Sequence, residues 1–109
     1  MNSGPTDSGS GSSGLTGSGP TLERDVAIVN RLGLHARAAA KFVTLAETFD
    51  ATIDVSRQGQ TVSALSIMGL MMLGAGRGEV IGLKATGPQA NAALTALIAL
   101  VSDGFGERD

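Results

Sequence analysis

One histidine, His35, stands two residues before Arg37 in the stretch NRLGLHARAAAKFV, residues 30–43, and no other histidine occurs in the 109-residue chain. A glycine and a leucine precede it and an alanine-rich run follows, so the pattern predicts a helix whose amino end carries the imidazole. Backbone N–H groups are unpaired at such an end, and the helix dipole favours negative charge there. Phosphate is the natural ligand of that arrangement. Arg37 in the first turn adds a planar fork of donors suited to phosphate oxygens. An arginine there is mildly unfavourable for the helix alone, so its position is easier to understand with an anion present. The same positive field is expected to disfavour the imidazolium and leave a nitrogen lone pair able to attack phosphorus. The chemistry suggested is transient phosphorylation of His35. The plainer alternative, a histidine that only ends a helix, weighs equally on position and periodicity alone.

Composition narrows the choice. The chain has no Cys, Trp or Tyr and only three Phe. Thiolate metal sites and disulfides are therefore excluded, and no metal or other cofactor is expected. Net charge is −2, which offers nucleic acid neither a basic field nor an aromatic stacking platform. No Ser-His-Asp set or metal cluster suggests a hydrolase. No uninterrupted apolar run reaches the roughly 18 residues a membrane span needs, so no membrane insertion is expected. The absence of cysteine fits a reducing compartment, and a cytoplasmic location is the expectation.

The elements that must position His35 follow from patterning. Residues 1–20 are rich in Gly and Ser and read as a flexible leader, unable to bury enough apolar surface to offset its ordering entropy. It lacks the basic start and apolar core of a signal peptide. Residues 21–109 form the domain. Asp25–Asn30 is short and β-branched, like a buried strand. Ala51–Ser56 alternates, with Ala51, Ile53 and Val55 on one face. Arg57–Gln60 reads as a turn and Thr61–Ala64 as the returning strand. Glu79–Thr86 alternates again. The first helix carries an apolar stripe at Ala39, Val43, Ala46 and Phe49, with Lys41, Thr44 and Thr48 opposite. The last opens around Gly87–Gln89, with Pro88 suited to a first helical position, and buries Ala90, Leu94, Leu97 and Val101. The order β-α-β-β-α-β-α predicts an α+β open-faced sandwich: a four-stranded antiparallel sheet covered on one face by three helices. The glycines at 74, 76 and 78 follow a helix and lead into a strand, the reverse of a dinucleotide-binding loop, and read as a connection.

Between the third and fourth strands lies SIMGLMML, residues 66–73, apolar on nearly every side. Ser66 is placed to cap this short helix. So small a domain cannot bury all of it, and Ile67, Met68 and Met71, which share a face, are expected to be exposed as an adaptable docking patch.

Three stretches, GLHARAAAKFV, SIMGLMMLGAGRG and the closing FGE, together resemble the histidine-containing phosphocarrier protein family, HPr, of the bacterial phosphoenolpyruvate-dependent phosphotransferase system, including its nitrogen-related branch. The resemblance covers nearly all of residues 24–107. It implies the HPr-like fold, phosphorylation of His35 through Nδ1, and assistance from Arg37. It also implies phosphoryl transfer from enzyme I, itself charged by phosphoenolpyruvate, to enzyme IIA domains, by a monomeric stoichiometric carrier rather than a stand-alone enzyme. The docking patch would meet donor and acceptor alike. Ser66 corresponds to a regulatory serine that an HPr kinase/phosphorylase modifies in some bacteria. Two departures are Ala38, where many members have proline, and Leu65, where many regulated members have lysine. Alanine is a good helix former, so the helix start should survive. Two other readings remain at this point: a regulatory binding module that uses the apolar patch without carrying phosphate, and a small anion-binding enzyme.

Overall fold

A computed structural model describes residues 20–107. The leader lies outside the described residues, apart from its last residue, as do residues 108–109. The elements run β1 (Thr21–Ala27), α1 (Ala36–Ala46), β2 (Thr52–Arg57), β3 (Gln60–Ser63), α2 (Ile67–Met72), β4 (Val80–Thr86) and α3 (Ala90–Ser102), closed by a 3₁₀ turn at Gly104–Gly106. The four strands form one antiparallel sheet in the order β1-β4-β2-β3. This is the expected open-faced α+β arrangement.

Alternation explains the layering, because successive strand side chains point to opposite faces. Val26, Ile53, Val55, Ile81, Leu83 and Ala85 are buried, and the helices contribute Ala39, Phe42, Leu70, Leu94, Leu97 and Val101 to the same core. On the other face, Lys84 of β4 is paired in register with Glu23 of β1 and Asp54 of β2. Opposite charges at facing positions suit a solvated sheet surface. The β2–β3 hairpin turns through Gln58 and Gly59, both at positive φ, as a two-residue turn between right-twisted strands requires.

β2, β3 and β4 lie within a residue of their expected bounds, and the larger differences fall in β1, α1 and α3. β1 begins at Thr21 and ends at Ala27, rather than spanning 25–30. Its length is set by β4: Thr21 faces Thr86, with their hydroxyls 3.0 Å apart. The α1 stripe is rotated. Its buried residues are Ala38, Ala39, Phe42 and Ala46, while Val43 is half-buried and Phe49 lies past the helix end. Phe42 is fully buried, and seating this larger ring turns the helix away from a Val43-centred face. In α3 the first helical residue is Ala90, two beyond Pro88; Ala90 N–H bonds to Gly87 O at 3.2 Å, closing a turn around the proline.

Gly33 shapes the path into α1. It adopts φ +65°, and a Cβ there would lie 2.5 Å from Ala75 O. Its neighbour Leu34 donates its N–H to that same carbonyl at 3.0 Å. The turn before α1 is thus sewn to the loop that follows α2, and only glycine fits where the two backbones meet.

Candidate functional site

His35 is the N-cap residue of α1, with extended backbone (φ −79°, ψ 179°), and its carbonyl accepts the first helical bond, from Ala39 N–H at 2.9 Å. The amides of Ala36, Arg37 and Ala38 precede that bond and face the helix end. No side chain caps this end, and the first turn holds no acidic residue. The positive end of the helix is left for an external anion. Ala38 sits buried in the first turn without disturbing the helix start. Around the imidazole is an open recess whose walls include Arg31, Arg37 and Lys41, with Glu107 as the carboxylate among its lining residues. Arg31 and Arg37 thus bring two guanidinium groups to the recess that His35 lines.

Glu107 is the residue that sequence reasoning missed. Its Oε2 lies 2.5 Å from His35 Nε2, and the two side chains are 14% and 28% exposed. Burial pushes the Glu107 carboxyl up, but hydrogen bonds from His35 and Asn30 and the charges of His35 and Lys41 outweigh it and hold the group below the usual carboxylate range. An ionised carboxylate can only accept, so His35 Nε2 donates. A singly protonated ring therefore carries its hydrogen on Nε2 and its lone pair on Nδ1. The closing FGE was visible in the sequence as part of the resemblance, but the role of its glutamate depends on a contact spanning 72 positions.

The second motif packs beside this turn. Ser66 caps α2, its Oγ accepting from Gly69 N–H at 2.9 Å. Ile67, Met68 and Met71 are 40%, 72% and 42% exposed, and Met72 and Leu65, not singled out from sequence, are also exposed. Of this helix's residues, only Leu70 is fully buried. α2 packs on α1, and the loop after it makes the Ala75 contact described above, which brings the motif to the His35 side of the molecule. Arg57 steadies that side by donating to Leu73 O at 2.8 Å and to Glu79 Oε2 at 2.6 Å. Among the described residues no group of three or more His, Cys, Asp or Glu side chains could hold a metal, and no helix is long and apolar enough to cross a membrane.

The family model for the PTS HPr component phosphorylation site matches residues 22–103. The chain belongs to the HPr family. It is 50% identical over 86 residues to phosphocarrier protein HPr of Cupriavidus necator, covering 79% of this chain and 97% of that protein. Identity is also 50% over 86 residues to phosphocarrier protein NPr of Shewanella violacea, covering 79% and 94%. Among solved structures, HPr of Thermoanaerobacter tengcongensis superposes with a TM-score of 0.77 at 42% identity, covering 81% of this chain and 99% of that one. HPr membership makes this a phosphocarrier-type protein of the phosphotransferase system. The equal identity to an HPr and an NPr leaves both branches of the family represented among its relatives.

Proposed function

We propose that this protein accepts a phosphoryl group on His35 from phosphorylated enzyme I, charged by phosphoenolpyruvate, and passes it to enzyme IIA domains. The observation that carries this reading is the tethered imidazole: Nε2 is tied to Glu107 at the start of α1, leaving Nδ1 as the nucleophile beside a positive helix end. In the step itself, the Nδ1 lone pair forms a bond to phosphorus while the bond to the donor breaks and its electron pair leaves with the donor. The added charge is met by the free amides of α1 and by Arg37. Delivery to an acceptor is the same step in reverse. A carrier needs no second acid–base group, because Nε2 keeps its hydrogen throughout. We place the docking of both partners on Ile67, Met68 and Met71, and the site of action in the cytoplasm.

Ser66 is proposed as a regulatory phosphorylation site. A phosphoserine would add a charge of about −1.5 to −2 within the docking patch, where contact with a partner would have to desolvate it. Incubation with phosphoenolpyruvate and enzyme I, followed by intact-mass measurement, tests the main reading: one acid-labile phosphoryl group is gained, and none in His35→Ala. No gain with a demonstrably active enzyme I would refute it. For Ser66, Ser66→Asp should slow transfer from enzyme I, and an unchanged rate would contradict the interface argument.

A further inference from the structure

The chain holds four methionines and no Cys, Trp or Tyr. Three of the four, Met68, Met71 and Met72, fall within the six residues of α2, and Met1 lies outside the described residues. None of the three belongs to the core, whose buried apolar side chains are Val, Ile, Leu, Ala and Phe. Met68 and Met72 are each 72% exposed and Met71 is 42% exposed, while Leu70 is fully buried and seats the helix on the domain. The other exposed apolar residues here, Leu65 and Ile67, are aliphatic and inert to mild oxidants. The thioethers of the described residues are therefore gathered on one surface helix, and the groups that hold the fold contain none.

Sulfur is where a mild oxidant attacks a protein first, thiols ahead of thioethers. With no thiol in the chain, a peroxide meets the thioethers of α2. A sulfur lone pair attacks one peroxide oxygen, an S–O bond forms and the O–O bond breaks. The departing hydroxide takes the proton of the transferred hydroxyl and leaves as water. Sulfur has lost two electrons and the peroxide has gained them. The product is a sulfoxide, polar where the thioether was apolar, and thiol-dependent reductases return it to methionine.

We propose that Met68 and Met72 are a reversible oxidation site, through which peroxide weakens docking of phosphotransferase partners on α2 and leaves the fold and His35 intact. This rests on the reading of α2 as the docking surface. The two residues are four apart and share one face of the helix, so both sulfoxides would stand on the same side of the patch. In the free chain water solvates them, and the core loses nothing. Against a partner each sulfoxide oxygen is a strong acceptor that an interface shaped for a thioether does not satisfy, and an unsatisfied buried acceptor is costly. Met71, less exposed, should react after the other two.

Hydrogen peroxide applied to the purified chain tests this. Peptide mapping by mass should find oxygen on Met68 and Met72 before Met71, and far-UV circular dichroism should be unchanged. Transfer from enzyme I at subsaturating concentration should slow on the order of tenfold. Phosphorylation of His35 by potassium phosphoramidate, which needs no docking, should keep its rate. Methionine sulfoxide reductases acting on both epimers should restore transfer. The Met68→Leu/Met72→Leu variant, compared only with itself before and after peroxide, should keep its own rate. Oxygen on Met71 with Met68 and Met72 spared, an unchanged transfer rate after full oxidation of both, loss of fold, or an equal slowing in the double variant would each overturn the proposal. Failure of an active enzyme I to phosphorylate the unoxidised chain would count against the carrier reading instead.

Discussion

At the scale of single residues, the site is a set of charges arranged around one ring. His35 was legible because glycine, leucine and a following helix announce a helix start, and Arg37 because a cation in a first turn is unusual without an anion. Glu107 was not legible, since nothing local distinguishes an acidic residue near the end of a chain from a solvated one. Glu79 makes the companion point. The Gly76 N–H bond and then the Arg57 hydrogen bond, with a lesser contribution from the Arg57 charge, hold its carboxyl below the ordinary value of 4.5 against the opposing effect of burial. A lowered folded value means that stability from Glu79 is fully present above 4.5 and is lost as pH falls through the folded value. The stability difference between wild type and Glu79→Gln should be largest at neutral pH and close as the solution is acidified below pH 4.5. Urea unfolding at a series of pH values measures this, and a difference independent of pH would show that the ion pair at 2.6 Å contributes nothing through its charge.

At the scale of elements, alternation marked β2 and β4, helical periodicity marked α1 and α3, and a β-branched run, a turn and an all-round apolar segment marked β1, β3 and α2, while contacts between elements set their ends. β1 extended to Thr21 because β4 offered Thr86 as a partner. α1 turned to bury Phe42 because bulk, rather than periodicity alone, decides which face enters a core. The connection at Gly33 has the largest consequence for the site. Gly33→Ala would force a side chain into the left-handed region, a strain of about 1–3 kcal/mol, and press Cβ against the Ala75 carbonyl at 2.5 Å. The variant should be destabilised by at least that amount in chemical unfolding, and its His35 ring signals should move as the start of α1 is displaced. Wild-type stability with unmoved His35 signals would mean that the turn is not what fixes the histidine.

At the scale of the whole molecule, a small domain leaves one helix incompletely buried on the side that carries His35. The sequence implied this from the excess of apolar residues in α2, though it did not separate Met72 and Leu65 from the three residues singled out. Met68 is 72% exposed, so Met68→Asp should alter stability by no more than about 0.5 kcal/mol while slowing phosphoryl transfer from enzyme I. Equal transfer rates at subsaturating protein would remove Met68 from the docking surface. The central claim is that His35 holds a phosphoryl group only in transit. Its most direct test is to isolate the phosphorylated chain, mix it with a purified enzyme IIA domain and follow both proteins by intact mass. Each phosphoryl group lost from His35 should appear on the acceptor. Loss solely as inorganic phosphate, or retention on His35 in the presence of competent acceptors, would contradict it.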